Sequence, residues 1–202
     1  MSSRAKTLEQ ISEKYPIILV DTCALMGPLQ CINHEDLEGL ARLRDTHHKS
    51  ALFFREYFNN GSEIYVTPFV FGEYSKGPLP YRYMSDEERN LIEDIENNKR
   101  VIQFTRDEEL LHDELSNRYK NDLRSKFKIE KTDIDFLFSG VILYKSREKS
   151  VALISNDTKM SRAWKYLLIN SGLTTKEIRL FSRVGNKVFT TKKVPKIMRE
   201  IA

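Results

Sequence analysis

Two apolar stretches of this chain each run into an aspartate. The letters IILV precede Asp21, and the letters SVALIS precede Asn156 and Asp157. An unbroken run of branched apolar residues predicts a strand that is buried on both faces, as strands of parallel sheets are. Functional groups collect outside the carboxyl ends of such strands, so we expect Asp21 and Asp157 to share one crevice. Either aspartate alone would equally suit the N-cap of the next helix, and it is the pair that favours a site.

Two further carboxylates occupy early positions in predicted helices. Glu73 follows the helix start at Pro68 and lies within an apolar stripe, and Asp133 follows Thr132 at the start of another apolar helix. Helices that follow parallel strands begin at the same sheet edge, so all four acids are expected to converge. The charge of Asp133 would also suit any first helical turn. Asp135 fits a capping box with Thr132 and stays open as the alternative to Asp133.

A crevice with four carboxylates has a definite chemistry. The charges repel one another strongly unless a cation neutralises them. Hard oxygen ligands select Mg²⁺ or Mn²⁺, which keep several waters and suit phosphate substrates. One or two such ions can activate a water and polarise a phosphoryl oxygen. The acids therefore predict hydrolysis of phosphodiester bonds without a protein nucleophile.

The elements that position these acids alternate between strand and helix along the chain. This order predicts one α/β domain over residues 1–202, with a mainly parallel sheet between helices. Capping-box patterns at Ser85 and Thr105 predict two exposed helices within residues 78–130. The other predicted elements are helices within 1–15, 37–59, 68–76, 132–144 and 194–201, a helix that contains Trp164, Leu167 and Leu168 and ends before Ser171, strands at 63–67 and 179–182, and a hairpin turn at 185–186.

Composition narrows the class of protein. The 202 residues are 40% hydrophobic and 31% charged with 8 Gly and 6 Pro, which excludes collagen-like, low-complexity and largely disordered chains. No apolar run has the length of a membrane span, and the polar start does not resemble a signal peptide. The two cysteines form neither a disulfide framework nor a metal-binding spacing. We therefore expect a cytoplasmic protein with no membrane partner.

Positive charge is concentrated towards the end of the chain. The net charge is +4, yet residues 145–202 contain fourteen Lys and Arg against four Asp and Glu. Such asymmetry predicts a cationic surface for a polyanion, with residues 183–202 as a basic extension. Lysines spread over several solvated faces are the alternative interpretation. The candidate RNA contacts are Arg162, Lys165, Lys192, Lys193 and Lys196.

The four acidic segments together resemble a known family. In order, they read ILVDTCAL, TPFVFGEYSKG, KTDIDFLFSGVIL and VALISNDTKM. This series is similar to the four acidic blocks of the PIN domain, a family of metal-dependent ribonucleases. The resemblance spans residues 17–168 and makes residues 78–130 a helical insertion. It implies a three-layer α/β/α fold and an endoribonuclease that uses Mg²⁺ or Mn²⁺, as one or two ions.

The resemblance also assigns roles to individual residues. It implies that Asp21, Glu73, Asp133 and Asp157 are the catalytic, metal-binding acids. Thr22 and Ser155 are similar to the hydroxyl residues that flank the first and last acids. The auxiliary residues are Thr22, Asp135, Ser155 and Asn156. The substrate would be RNA, preferably single-stranded, and further partners would be an inhibitor, a processing-complex protein or a second copy of the chain.

Several functions remain open from the sequence alone. Within the family resemblance, the chain could be a toxin-like nuclease or an RNA-processing factor. A structure-specific DNA nuclease is an alternative, because no residue in the pattern reads a 2′-hydroxyl. A non-catalytic RNA-binding scaffold is another, although the presence of all four acids argues against it.

Overall fold

A single sheet runs through the part of the chain that the structure describes. The computed structural model describes residues 6–26, 37–59, 63–76, 84–157, 159–184 and 187–190. Within these residues the strand order is β2-β1-β3-β4-β5; the first four strands are parallel, and β5 is antiparallel to β4. The strands are β1 Ile17–Val20, β2 Ile64–Tyr65, β3 Val151–Ile154, β4 Ile178–Val184 and β5 Lys187–Thr190. The predicted α/β class with a mainly parallel sheet is confirmed.

The two central strands are buried as their composition predicts. All four residues of β1 and all four of β3 are inaccessible to solvent, and the register pairs Ile17 with Val151 and Val20 with Ile154. Branched apolar side chains on both faces suit a strand whose two faces are both covered by helices. Because the strands are paired in register, the residues that follow them leave the sheet side by side.

Eight helices surround the sheet within the described residues. The pattern over 37–59 forms one continuous helix, whereas α2 was not predicted because five residues are too few to show a helical period. None of the described helices combines the length and apolar character needed to cross a bilayer. The helices are α1 Leu8–Ser12, α2 Thr22–Met26, α3 Leu37–Asn59, α4 Pro68–Lys76, α5 Asp86–Asn97, α6 Arg106–Phe127, α7 Lys131–Arg147 and α8 Met160–Asn170.

Helices α5 and α6 begin at the predicted capping boxes. The Ser85 hydroxyl accepts from the N–H of Glu88, whose carboxylate accepts from the N–H of Ser85. Thr105 and Glu108 form the same reciprocal pair. The expectation that both helices are exposed is wrong for one face of each. That face joins the core because it is apolar, through Leu91 and Ile95 on α5 and through Leu115, Tyr119 and Leu123 on α6.

Helices cover both faces of the sheet. Gly140 of α7 packs directly on Leu153 of β3, and Leu153 pairs in register with Leu180 of β4. Arg183 lies three residues beyond Leu180 and therefore points to the opposite face. There its guanidinium lies over the ring of Phe54 in α3, 4.7 Å from the ring centroid. Helices α7 and α3 thus lie on opposite sides of the sheet, which is consistent with a three-layer α/β/α arrangement.

The second strand is shorter than predicted. The sequence predicted residues 63–67, whereas β2 comprises only Ile64–Tyr65. Val66 instead pairs with the chain between α5 and α6: its N–H donates to Arg100 (2.9 Å) and its carbonyl accepts from Ile102 (2.9 Å). The stretch predicted as an inserted pair of helices therefore also completes the edge of the sheet.

Part of the predicted basic extension belongs to the sheet. Residues 183–184 and 187–190 contribute to β4 and β5, and Val188 of β5 also pairs with Lys6. Sheet pairing satisfies the backbone N–H and C=O groups of these residues, so this segment is not a solvated tail. The predicted turn at 185–186, the terminal helix at 194–201 and Lys192, Lys193 and Lys196 lie outside the described residues.

The contact between Gly140 and Leu153 predicts that alanine at Gly140 and alanine at Gly72 will change the stability of the fold in opposite directions. A Cβ at Gly140 would lie 2.9 Å from Leu153 Cδ2, whereas one at Gly72 in α4 would meet nothing within 4 Å. Gly72→Ala should stabilise the fold by about 0.5 to 1 kcal/mol through helix propensity. Gly140→Ala should instead destabilise it by about 1 to 2 kcal/mol through overpacking. Urea unfolding measures both, and equal stabilisation would show that Leu153 simply moves aside.

Candidate active site

The acids that follow β1 and β3 lie at the point where the sheet connections diverge. From β1 the chain crosses to β2 on one side, and from β3 it crosses to β4 on the other. Such a switch point opens a crevice at the carboxyl edge of a parallel sheet. Asp21 follows β1 directly, and its N–H continues the ladder to the carbonyl of Ile154 (3.0 Å). Asp157 stands three residues beyond β3, beside the same crevice.

Asp21 is the most enclosed of the acids. Only 4% of the residue is exposed. One carboxylate oxygen accepts from the N–H of Thr22 (2.8 Å), and the other accepts from the Ser155 hydroxyl (2.8 Å) and the Cys23 thiol (2.9 Å). Burial raises the pKa of Asp21 above its ordinary value, and the charge of Glu73 adds to that effect against the three hydrogen bonds. The carboxylate is therefore held firmly in one orientation while its charge remains incompletely compensated.

The segment after β3 links the first and last acids. The Ser155 hydroxyl, fully buried, donates to Asp21 and accepts from the N–H of Asp157 (3.1 Å). Asn156 accepts from the N–H of Arg183 (2.9 Å), which ties this segment to β4. Asp157 itself accepts from the N–H of Lys159 (2.7 Å). Ser155 and Asn156 thus position the loop that carries Asp157.

A hydrogen bond from Thr22 connects Glu73 to the crevice. The Thr22 hydroxyl donates to a Glu73 carboxylate oxygen at 2.6 Å, which connects α2 to α4. The expectation that Glu73 lies inside an apolar stripe is wrong, because Glu73 is exposed and the adjacent Tyr74 carries the buried face. An exposed carboxylate costs little to keep charged and can approach a ligand from solvent.

Asp133 lies within the electrostatic influence of the strand-end acids. It occupies the third position of α7, where its carboxylate accepts from the N–H of Glu130 (3.1 Å). Partial burial, with the charges of Asp21 and then Asp157, raises the pKa of Asp133 to about 7. The shift records that Asp133, Asp21 and Asp157 share one poorly screened region. The site acids thus come from four separate segments of the chain.

The structure separates Asp133 from Asp135. Helix α7 begins one residue earlier than expected, and its capping box joins Glu130 to Asp133, so the predicted box between Thr132 and Asp135 is wrong. Asp135 is buried, and its carboxylate lies 3.0 Å from His112 Nε2. Residues two apart on a helix face different directions. Asp135 therefore pairs with His112, while Asp133 interacts with the strand-end acids.

Cys23 takes part in the hydrogen-bond network beside Asp21. Besides donating to Asp21, the thiol lies 3.3 Å from the Ser155 hydroxyl and accepts from the N–H of Asn156 (3.1 Å). Burial and the charge of Asp21 raise the pKa of the Cys23 thiol well above its ordinary value. The thiol is therefore a neutral donor to the carboxylate and a poor nucleophile. Its position two residues after Asp21 is a signal that sequence reasoning could have used.

The predicted basic residues divide between surface and core. Arg162 and Lys165 are exposed on α8, on the helix that follows Asp157. Arg183 is buried, donates to the carbonyl of Ala24 (2.8 Å) and has no carboxylate partner among the residues that the structure describes. Burial lowers the pKa of Arg183 to about 10. This arginine belongs to the packing between β4 and α2 and does not extend the cationic surface.

The donor set fits a hard divalent cation by its chemistry. The candidate ligands Asp21, Glu73, Asp133 and Asp157 all offer carboxylate oxygens. In the described ranges, however, no three acidic, histidine or cysteine side chains are grouped closely enough to hold an ion. Each carboxylate is engaged by a donor of its own, from Thr22, Glu130 or Lys159 among others. Shared coordination would require Glu73, Asp133 and Asp157 to move towards Asp21, whose carboxylate is already oriented and keeps free lone pairs.

Comparisons with protein-family models, curated proteins and solved structures find no match for this chain. The assignment of a function therefore rests on the residues of the crevice and on the resemblance carried by the four acidic segments.

Proposed function

We propose that this chain is a metal-dependent endoribonuclease with a PIN-like domain. The observation that carries the proposal is a set of hydrogen bonds that joins acids from distant segments at one sheet edge. Thr22 links Asp21 to Glu73, and Ser155 links Asp21 to Asp157, while the raised pKa of Asp133 is consistent with nearby negative charge from Asp21 and Asp157. A fold without a use for this arrangement would be more stable with neutral residues at these positions, because like charges that share a site repel.

Each acid would have a distinct role in holding Mg²⁺ or Mn²⁺. Asp21 is oriented by three hydrogen bonds and is the fixed ligand from β1. Asp157 and Asp133 reach the crevice from its other sides, and exposed Glu73 completes the set from the solvent side. When bound, such an ion would supply a polarised water and offset negative charge on the phosphate. Thr22 and Ser155 keep the carboxylates oriented between turnovers.

The side chains around the acids do not favour covalent catalysis. The Cys23 thiol is protonated because of its raised pKa, and the Ser155 hydroxyl is fully buried and already engaged with Asp21. The Thr22 hydroxyl donates to the Glu73 carboxylate, a weak base that we assign to the ion, and no histidine forms a hydrogen bond with Thr22 among the described residues. Direct attack by water on the phosphate is therefore the mechanism that these residues support.

Single-stranded RNA is the substrate class that we propose. Arg162 and Lys165 present positive charge on the helix that follows Asp157, where they could contact phosphates on either side of the cleaved bond. A crevice at the end of a sheet accepts a flexible backbone more readily than a rigid duplex, because in-line attack requires the backbone to bend.

Digestion of parallel substrates tests the proposal. The purified chain should cut labelled single-stranded RNA internally with Mn²⁺ or Mg²⁺ and should be inactive in EDTA. Single-stranded DNA and flap DNA are included as competitors, and Asp157→Asn serves as the inactive control. Preference for flap DNA would favour a DNA nuclease. Tight RNA binding with no cleavage in either metal would favour a scaffold, and both results would contradict the proposal.

A further inference from the structure

An aromatic ring is exposed at the start of α4. Phe69 is 43% exposed, although most large apolar side chains in the described residues are buried. The ammonium of Lys131, at the start of α7, lies 5.3 Å from the centroid of the Phe69 ring. The pair therefore joins the first turns of two helices that are far apart in sequence.

The pair stands directly beside the candidate acids. Phe69 precedes Glu73 by four residues on α4, so the two side chains lie on the same face of that helix. Lys131 precedes Asp133 by two residues in the first turn of α7. The ring and the ammonium thus form the rim of the crevice on the side of α4.

Neither residue is explained by the stability of the fold. Lys131 is the first residue of α7, where the positive end of the helix dipole disfavours a cation. It forms no ion pair with any residue that the structure describes. Burying the Phe69 ring would stabilise the protein, so its exposure also carries a cost. Both residues are placed as though a ligand covers them.

We propose that Phe69 and Lys131 bind the substrate strand beside the cleaved bond. Phe69 stacks on a nucleobase, and Lys131 moves from the ring to the neighbouring phosphate. An exposed ring with a cation next to it matches the alternation of base and phosphate in a single strand. One exposed ring is far smaller than the roughly 800 Å² per partner of a stable protein interface, so a nucleic acid fits the surface better than a protein.

The position of the pair also suggests a path for the strand. Helix α4 follows β2, whereas α8, which carries Arg162, follows β3 on the other side of β1. A strand held by Phe69 at one end and by Arg162 at the other would pass over Asp21 and Asp157. This inference rests on the proposed function and adds the recognition of an unpaired base.

Binding of a short single-stranded RNA in EDTA tests the inference apart from catalysis. The probe is a dye-labelled 12-nucleotide RNA for anisotropy, with a second version that contains 2-aminopurine to report stacking. Phe69→Ala and Phe69→Leu should each weaken binding by about 10-fold and abolish the 2-aminopurine quenching, whereas Phe69→Tyr should retain both. Lys131→Ala should reduce the slope of log affinity against log salt by about 0.7.

Matched controls separate stacking from other effects. Leu110 is 54% exposed on α6, a helix that carries none of the candidate acids, so Leu110→Ala removes a similar exposed apolar side chain and should leave binding unchanged. Circular dichroism and melting curves check that every variant is folded. Full RNA binding by Phe69→Leu would indicate a general apolar contact without stacking and would overturn the inference. Unchanged binding by folded Phe69→Ala would do the same.

The experiments separate failure of this inference from failure of the proposed function. If the parent cuts RNA but Phe69→Ala binds and cuts it normally, only the inference about Phe69 is wrong. If the parent shows no metal-dependent cleavage while quenching still depends on Phe69, the base-binding surface stands and the nuclease proposal is wrong.

Discussion

Replacing Asp21 or Asp133 by asparagine should lower the rate of RNA cleavage by more than about 100-fold while the chain remains folded. Each substitution keeps the shape of the side chain and removes one negative charge from a proposed ligand. Loss of a residue that only orients a metal ligand already costs roughly 10- to 100-fold, and loss of a ligand should cost more. Single-turnover cleavage of a labelled RNA measures the effect, and melting curves show whether the fold is retained.

Asp135→Asn is the matched control for this prediction. Asp135 lies on the same helix as Asp133 but faces His112, so its charge does not contribute to the crevice. We expect this variant to cleave RNA within about 10-fold of the parent, even if it loses stability because the contact between the buried carboxylate and His112 is altered. A folded Asp135→Asn variant that is less active than Asp133→Asn would show that the third acid is assigned to the wrong residue.

Manganese should stabilise the folded chain strongly at pH 8 and much less at pH 5. A ligand that binds only the folded state adds about 2.7 kcal/mol at 100 times its dissociation constant, which raises the melting temperature by several degrees. The pKa of Asp133 is raised to about 7, so at pH 5 an ion must displace a proton from this carboxyl. Melting curves across a Mn²⁺ series at both pH values measure the difference.

Without metal, the stability of the folded chain should fall as pH rises, whereas the stabilisation by Mn²⁺ should increase. The folded-state pKa of Asp133 lies above the unfolded value, so the folded chain binds this proton more tightly than the unfolded chain does. Below pH 4 the Asp133 carboxyl is protonated in both the folded and the unfolded chain, so it does not affect the free energy of unfolding. As pH rises from 4 to 7, only the unfolded chain releases the proton readily, so the free energy of unfolding falls. In EDTA, Asp133→Asn should therefore be more stable than the parent at pH 8 by about 1 to 2 kcal/mol, since solvent screens part of the repulsion.

Two results would contradict the metal prediction. An unchanged melting temperature for the parent at millimolar Mn²⁺ and pH 8 would rule out the proposed metal site. An equal response by Asp157→Asn would place the ion elsewhere, because that variant lacks one of the four carboxylates and should lose most of the stabilisation.

Local patterns determined the elements that carry the acids. The runs before Asp21 and Asp157 are strands because branched apolar residues in sequence suit only a doubly covered sheet. Helices α5 and α6 begin at Ser85 and Thr105 because a capping box is satisfied within four residues. These features depend on neighbours in the chain, so the sequence was sufficient to predict them.

The third acidic segment shows where local patterns were insufficient. Both Asp133 and Asp135 fit the first turn of a helix, and the sequence left the choice between them open. In the structure, Asp133 is close enough to the strand-end acids for their charges to act on it, and Asp135 faces His112. Residues two apart on a helix differ in direction by about 200°, so the rotation of α7 about its axis, set by packing against α6 and the sheet, decides which of them faces the crevice.

Contacts between distant segments were decided only by the tertiary structure. Nothing near Arg183 in the chain distinguishes it from the surface arginines, yet the register of β4 turns it under α3. The exposure of Phe69 and the contact of its ring with Lys131 likewise depend on how α4 meets α7. The sequence by itself determined which residues could do chemistry at a sheet edge. Which of them meet depends on strand order and helix rotation, because those are set by packing between segments that are distant in the chain.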